Sequence, residues 1–300
     1  MMDLGALRSV KYSKTGRIAR ITLNRPSRLN AIDQYLPQEI RICVEEANRD
    51  DSVHVIILSG EGRAFCSGYD LIDFAETKTN TTQTMPWDPI VDYKFMKANT
   101  EDFMSLWKSY KPTICKVQGF AVAGGSDIAL CCDIVIMSED AKIGYPPSRV
   151  WGCPTTAMWT FRIGPERAKR MLFTGQLITG KEAERIGLVS ESVPANKLDE
   201  VVEQLANNIA AVPKNQLAMC KLVVNQVVEN QGLSQAQSLS TLFDGITRHS
   251  PEGIWFKQRA EDIGFQNAVK ERDSGNPIAE GVSKPSFDRN IRSVLIPSNL

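Results

Sequence analysis

The sequence predicts an α/β fold with mostly parallel strands. Runs rich in β-branched residues and bounded by turn residues alternate with stretches in which apolar residues follow helical spacing. We expect strands at residues 18–23, 53–59, 113–117, 134–137 and 188–193. Residues 36–48 and 166–173 are typical of the intervening helices. The chain has no internal period, which argues against a repeat array.

Helical spacing replaces the strand signals after Pro194. The next stretch predicts an amphipathic helix with one buried face through Leu198, Val201, Val202, Leu205 and Ile209. Residues 217–228 and 233–246 continue the helical pattern. We therefore expect an α/β core over residues 1–195 and a helical region over 196–300. Its tail, from about residue 274, is rich in Gly, Pro and Ser, so we expect it to be loosely ordered or laid on a neighbouring subunit.

The polar segment 77–99 interrupts the pattern of the core. Loops tolerate such composition and often carry function, so a mobile loop over a site is one interpretation of this segment. A plain surface insertion is the other interpretation, and the sequence does not separate the two.

Composition and charge exclude several classes of protein. The 300 residues are 42 % hydrophobic and 23 % charged, as in ordinary globular chains. Lys plus Arg and Asp plus Glu number 35 each. A chain with zero net charge has no overall field that would attract nucleic acid or an anionic membrane, so we expect neither partner.

Other sequence features indicate the compartment. No stretch approaches the roughly 18 consecutive apolar residues of a membrane-spanning helix, and residues 1–14 lack the apolar segment of a signal peptide. The seven cysteines are odd in number and form no CxxC pair. This pattern is typical of reduced, buried thiols, so we expect a cytoplasmic protein.

Common catalytic and nucleotide-binding signatures are missing. The sequence has no GxGxxG, Walker A or HExxH motif, and its two histidines, His54 and His249, exclude zinc sites built on several histidines. We expect no metal. Ser126 follows two glycines but lacks the closing glycine of a nucleophile elbow. A serine hydrolase using Ser126 and His249 is therefore the least favoured class.

Two strand–turn–helix passages are more informative. Residues 60–71 follow the strand at 53–59, and residues 118–127 follow the strand at 113–117. Each passage is glycine-rich, so its backbone can approach a ligand closely, and N–H groups at the turn or helix start lack partners. Either passage alone is compatible with a simple tight turn. Together they indicate a site for an anion or a developing oxyanion.

An ordered set of motifs resembles the crotonase superfamily, the enoyl-CoA hydratase/isomerase family. The matching segments are residues 21–26, 29–31, 65–71, 119–127, 132–133, 141–144, 162–164, 172–175 and 183–189. Each segment is weakly specific, but the set keeps the family's order from about residue 15 to residue 195, and the helical remainder suits the family's C-terminal region.

The resemblance implies a spiral of ββα units followed by helices that build a homotrimer, often a dimer of trimers. It implies a coenzyme A thioester as substrate, with no metal and no prosthetic group. The thioester enolate would be stabilised by two backbone N–H groups, which match Tyr69 and Gly124.

The resemblance also implies how coenzyme A is held. The strip whose main chain would line the adenine and pantetheine consists of Ser67, Gly68, Tyr69, Asp70 and Leu71. Arg28 stands where a basic residue often approaches the phosphates, although a solvated surface arginine is an equal interpretation.

The sequence departs from the family at the acid–base positions. Hydratases of the family use two glutamates as general base and acid; the first position matches Asp127 and the second matches Pro147, which carries no proton. Tyr145 is a weak candidate for a substitute proton donor. The bulky residues Trp151, Met158 and Trp159 predict either an apolar pocket wall or packing in the core or an interface.

These residues leave the reaction open. Hydratase or isomerase chemistry with Asp127 as the proton-transfer group is the leading hypothesis, and hydration, isomerisation and thioester hydrolysis are not separated. The alternatives are a decarboxylase or hydrolase branch of the same family and a non-catalytic acyl-CoA-binding protein, which Pro147 favours.

Overall fold

The computed structural model describes residues 6–76 and 87–275, and these contain nine strands and ten α-helices. The strands are β1 (Val10–Thr15), β2 (Ile18–Leu23), β3 (Val55–Gly60), β4 (Thr113–Val117), β5 (Phe120–Val122), β6 (Ile134–Ser138), β7 (Lys142–Gly144), β8 (Leu177–Thr179) and β9 (Glu191–Val193). The helices are α1 (Leu36–Arg49), α2 (Pro89–Lys108), α3 (Gly124–Leu130), α4 (Met158–Thr174), α5 (Gly180–Arg185), α6 (Leu198–Ala210), α7 (Lys214–Asn230), α8 (Leu233–Thr247), α9 (Pro251–Ile263) and α10 (Phe265–Asp273).

A six-stranded sheet in the order β1-β2-β3-β4-β6-β9 forms the centre of the protein. Only its edge pair β1–β2 is antiparallel; the other neighbours are parallel, which confirms the predicted pairing. Side chains alternate between the two faces. In β3, Ile56 and Leu58 enter the main core under α1 to α4, whereas Val55 and Ile57 face α6.

Helix α6 covers the back of this sheet. Its buried face consists of Leu198, Val202, Ala206 and Ala210, at the four-residue spacing of one helical stripe. Val201, Leu205 and Ile209 are partly buried beside them. The amphipathic helix predicted after Pro194 is thus confirmed, and its partner is the strand layer.

A second, small sheet has the order β5-β7-β8. Two single-residue parallel bridges, Ile32 with Tyr69 and Cys66 with Ala121, lie beside it. The sequence did not predict these strands, because three-residue strands between turns give no periodic signal. This small layer nevertheless positions both glycine-rich passages.

The prediction of a loop over residues 77–99 is wrong from Pro89 onward, because α2 starts there. The Asp88 side chain accepts a hydrogen bond from the Ile90 N–H at 2.8 Å, and proline at the first helical position suits a helix start. The polar residues that precede α2 in the sequence obscured its helical pattern, and its buried side chains include Met96, Phe103 and Met104. Residues 77–86 lie outside the described residues, as does the tail from residue 276.

Two further observations concern the whole described chain. No helix within residues 6–76 or 87–275 is long and apolar enough to cross a membrane. All seven cysteines are free thiols, and five of them are buried.

Candidate active site

A buried asparagine fastens the passage after β3 to the loop after β2. Asn30 is completely buried; its side-chain oxygen accepts from the Arg25 N–H at 2.8 Å, and its amide donates to the carbonyls of Glu61 (2.9 Å) and Ala64 (2.8 Å). Three hydrogen bonds from one buried side chain hold the passage in a single position.

Tyr69 lies in that passage between two backbone hydrogen bonds. The Ile32 N–H donates to the Gly68 carbonyl at 2.8 Å, and the Asp70 N–H donates to the Ile32 carbonyl at 3.0 Å. Arg25 holds the Asp70 carboxylate at 3.0 Å. The N–H of Tyr69 itself donates to no group in residues 6–76 or 87–275, so it is available to a ligand.

The second passage turns sharply from β5 into α3. Ala123 has φ +55° and ψ −127°, a conformation that residues with a Cβ rarely adopt. Helix α3 begins at the next residue, Gly124, and the first N–H groups of a helix have no intrahelical partner. Within the described ranges, the Gly124 N–H donates no hydrogen bond.

Glycines let the two passages touch. A Cβ at Gly68 would lie 2.8 Å from the Cβ of Ala123 and 3.4 Å from the Gly124 nitrogen. A Cβ at Gly125 would overlap the carbonyl oxygen of Cys66. The backbone approach therefore requires glycine at these positions, and it brings the amides of Tyr69 and Gly124 into one neighbourhood.

Asp127 follows one turn later on α3 and is 3 % exposed. Its Oδ1 accepts a hydrogen bond from the Thr156 hydroxyl at 2.7 Å. The pKa of Asp127 is raised to about 8, mainly by burial and to a smaller extent by the negative charge of Asp244, while the Thr156 hydrogen bond opposes the shift. Burial therefore favours the protonated form of this carboxyl group.

A second acidic side chain reaches the same region from α8. The Asp244 carboxylate accepts from the Cys153 N–H at 3.1 Å and pairs with Arg248 at 2.6 Å. Thr156 and Cys153 belong to residues 153–156, which we call the 153–156 segment. This segment thus contacts both carboxyl groups.

Comparison with known proteins identifies the family. A family model described as enoyl-CoA hydratase/isomerase matches residues 13–258. The chain belongs to the enoyl-CoA hydratase/isomerase family. A probable enoyl-CoA hydratase of Mycobacterium bovis is 32% identical over 288 residues, which are 93% of this chain and 97% of that protein.

Solved structures agree with this family assignment. An enoyl-CoA hydratase from Mycobacterium smegmatis is 46% identical, with a TM-score of 0.86 over 91% of this chain and 96% of the other. An enoyl-CoA hydratase/isomerase from Xanthobacter autotrophicus is 30% identical, with a TM-score of 0.82 over 91% of this chain and 100% of the other. The protein thus has the crotonase fold and is an enzyme of this family.

Of the predicted site residues, Tyr69, Gly124 and Asp127 come together. A Cβ at Gly124 would lie 3.1 Å from Cε2 of the Tyr69 ring. The Tyr69 hydroxyl accepts a hydrogen bond from Asn99 of α2 at 3.2 Å, and burial raises its pKa. The tyrosine ring therefore packs over the start of α3.

The other residues of the predicted coenzyme A strip have different surroundings. Ser67 is partly buried, and its N–H donates to the Leu29 carbonyl at 3.1 Å. The Asp70 carboxylate forms an ion pair with Arg25, and this pair holds the strip in place. Leu71 packs against a cluster from α9 and α10. Arg28 is exposed and has no side-chain partner among the described residues.

Tyr145 and the bulky residues have partners of their own. The Tyr145 hydroxyl donates to the Cys153 carbonyl at 2.9 Å, and burial raises its pKa. Met158 and Trp159 are 1% exposed and belong to the main core. Trp151 meets Phe256 edge to face at 5.6 Å. These contacts correspond to the packing interpretation of the bulky residues.

Ser126 and His249 are not arranged as a nucleophile and base. The Ser126 hydroxyl donates to the Ala123 carbonyl at 2.6 Å, which supports the turn into α3. His249 contacts Asp92 of α2 at 2.9 Å and stacks on Trp87 at 4.3 Å. The two residues share no hydrogen bond among the described contacts.

Sequence reasoning missed Asp244, Arg248, Thr156 and Asn99. Nothing in local spacing distinguishes Asp244 and Arg248 from an ordinary i, i+4 pair on an exposed helix face. The packing of α8 against α2 and the 153–156 segment buries them: Asp244 is 7 % exposed. No cluster of three or more His, Cys, Asp or Glu able to hold a metal ion occurs within the two described ranges.

Substituting the two neighbouring glycines of α3 tests the close backbone contact between the two passages. Alanine raises the helix propensity by the same amount at Gly124 and at Gly125. In Gly125→Ala the new methyl overlaps the Cys66 carbonyl, and we expect the free energy of unfolding to fall by about 2 kcal/mol, as overpacking does. In Gly124→Ala the new methyl meets movable ends of Ile32 and Tyr69, so we expect a smaller loss of stability.

Urea unfolding measures this difference. Equal losses of stability in Gly124→Ala and Gly125→Ala would contradict the close backbone contact between the two passages.

Proposed function

We propose that this enzyme acts on enoyl-CoA thioesters, with Tyr69 and Gly124 binding the thioester oxygen through their N–H groups and Asp127 transferring the proton. The observation that carries the proposal is the buried Asp127 carboxyl group one helical turn from the Gly124 N–H, which donates no hydrogen bond within the described ranges. Acid–base chemistry next to a thioester carbonyl needs this combination.

The two N–H groups supply the larger share of the rate enhancement. When the α- or β-carbon of the acyl chain reacts, negative charge develops on the thioester oxygen. A preorganised donor aimed at that oxygen contributes about 3 kcal/mol, and two donors act together. No metal or prosthetic group is needed for this step, and we propose none.

Coenzyme A would lie along the strip of residues 67–71. The Ser67 and Asp70 N–H groups and the Gly68 carbonyl have backbone partners, whereas the Ser67 carbonyl accepts no hydrogen bond among the described residues and is open to the pantetheine. Arg28 is exposed and without a side-chain partner among the described residues, so it is available for the phosphates. We expect such an enzyme to work in the cytoplasm, consistent with its free thiols.

We also propose that the enzyme assembles as a homotrimer or a dimer of trimers. Helices α7 and α8 leave large apolar side chains exposed: Met219, Leu222, Val223, Val224, Val227, Leu239 and Phe243. Exposed apolar patches of this kind mark protein interfaces.

The mass of the purified protein tests the assembly. Light scattering should give three or six times the monomer mass, and Val223→Glu should lower it, because a buried charge opposes association. A monomeric wild-type protein would contradict this part of the proposal.

Product analysis tests the reaction. Enoyl-CoA thioesters are incubated with the enzyme in deuterated water and analysed by mass spectrometry. Addition of one water indicates hydration, deuterium uptake alone indicates isomerisation or proton exchange, and released coenzyme A indicates hydrolysis. Binding without any of these changes would support the alternative of a non-catalytic acyl-CoA-binding protein, which Pro147 favours.

Asp127→Asn tests the proton-transfer role. We expect turnover to fall at least about tenfold, within the usual range for a general acid or base. Affinity for acyl-CoA should stay nearly unchanged, because asparagine keeps the shape and the acceptor for Thr156. The matched control is Asp199→Asn, an exposed carboxylate paired with Lys116. Equal turnover of the Asp127 variant and the wild type would defeat the assignment.

The pH dependence follows from the raised pKa of Asp127. If Asp127 delivers its proton to the substrate, kcat/KM has its maximum value at a pH below this pKa and falls as the pH rises through about 8. Thr156→Val removes the hydrogen bond that lowers this pKa, so the decline should move to higher pH. A decline that moves to lower pH would contradict this proton assignment.

A further inference from the structure

Helix α8 is docked on the 153–156 segment by three side chains of one face. Gln237 donates to the Thr156 carbonyl at 2.9 Å, Ser240 donates to the Pro154 carbonyl at 2.7 Å, and Asp244 accepts from the Cys153 N–H at 3.1 Å. Residues at i, i+3 and i+7 share a helix face, so these three contacts extend along two turns of α8. It places the Asp244 carboxylate beside the segment that also holds Asp127.

Asp244 and Pro147, the residue without a proton, both lie beside Gly152. A Cβ built on Gly152 would lie 3.1 Å from Cβ of Pro147 and 3.4 Å from Oδ1 of Asp244. The Tyr145 hydroxyl is 3.4 Å from the same point. The carboxylate from α8 therefore stands in the neighbourhood where the family's second glutamate side chain would begin.

The surroundings of the two carboxyl groups differ in charge. Asp244 is paired with Arg248, and its charge acts on Asp127, which has a neutral hydroxyl as its hydrogen-bond partner. A carboxylate has about four acceptor positions. Cys153 and Arg248 occupy one each on the Asp244 side chain, which leaves positions for a water molecule.

We propose that Asp244 is the second carboxylate of the reaction and enables this enzyme to hydrate enoyl-CoA despite Pro147. This inference rests on the proposed function. Asp244 accepts a proton from water as the water oxygen bonds to C3, and the C2–C3 π electrons move onto the thioester oxygen. The enolate then takes the Asp127 proton at C2. Transfer of the proton from Asp244 to Asp127 through solvent restores the enzyme.

Several charged or titratable groups surround Asp244. Arg248 follows Asp244 by one turn at the end of the same helix. Electrostatic interactions with Asp92 of α2 and with Tyr69 raise the pKa of Arg248. Tyr145, Cys153 and Asp127 lie close enough for the charge of Asp244 to raise the pKa of each. Because the charge of Asp244 raises the pKa of Asp127, removing that charge should move the decline of kcat/KM with pH to a lower pH.

The decisive variant is Asp244→Asn, which keeps an acceptor for the Cys153 N–H. We expect the kcat of hydration to fall at least about tenfold, with KM little changed and the pH decline displaced downward. Asp244→Glu should restore part of the rate, because it keeps the carboxylate. Ser240→Ala weakens the same docking without a change of charge, so it should leave the position of the pH decline unaltered.

Melting temperatures show whether each variant folds. If Asp244→Asn does not fold because Arg248 is left unpaired, Asp244→Asn with Arg248→Gln removes both charges together. A folded variant of either kind with wild-type hydration and an unmoved pH profile would overturn the inference while the proposed function stands.

Wild-type products give a test independent of any variant. Water added to an enoyl thioester supports the role of Asp244. Deuterium exchange without water addition would overturn that role and leave Asp127 as the proton-transfer group. A wild-type enzyme that changes no enoyl thioester would overturn the proposed function and this inference together.

Discussion

The contact between two backbone passages is the constraint on which the rest of the site depends. Gly68 lies against Ala123, and Gly125 lies against the Cys66 carbonyl, at separations that leave no room for a Cβ. Because the passages touch, the amides of Tyr69 and Gly124, which donate to no group in the described part of the chain, share one neighbourhood, and Asp127 follows one turn behind Gly124. Buried Asn30 and the Arg25–Asp70 pair keep the first passage in place.

Electrostatics then gives the two acidic side chains different characters. Asp127 is buried, and among the described residues its carboxyl group accepts a hydrogen bond from the Thr156 hydroxyl alone, so desolvation raises its pKa. The Asp244 carboxylate pairs with the Arg248 guanidinium and accepts a hydrogen bond from the Cys153 N–H. Pairs of carboxyl groups with opposed surroundings are how enzymes obtain an acid and a base at one pH.

The helices after residue 195 contact both the large sheet and the candidate active site. Helix α6 covers the back of the large sheet, and α8 reaches the candidate active site through the 153–156 segment. The division near residue 195 stays a prediction. The contacts that cross it bring Asp244 and Arg248 to the segment that holds Asp127.

The class of fold, the mostly parallel pairing, the glycine-rich passages and the position of Asp127 could be predicted from the amino-acid pattern. Strand periodicity and glycine placement are local properties, and the order of the motifs indicated the family. The folded chain was needed to show that residues 89–108 form a helix, that Asn99 meets the Tyr69 hydroxyl and that Asp244 and Pro147 both lie beside Gly152. These contacts join residues that are tens of residues apart, and no local pattern encodes which helix face will meet which loop.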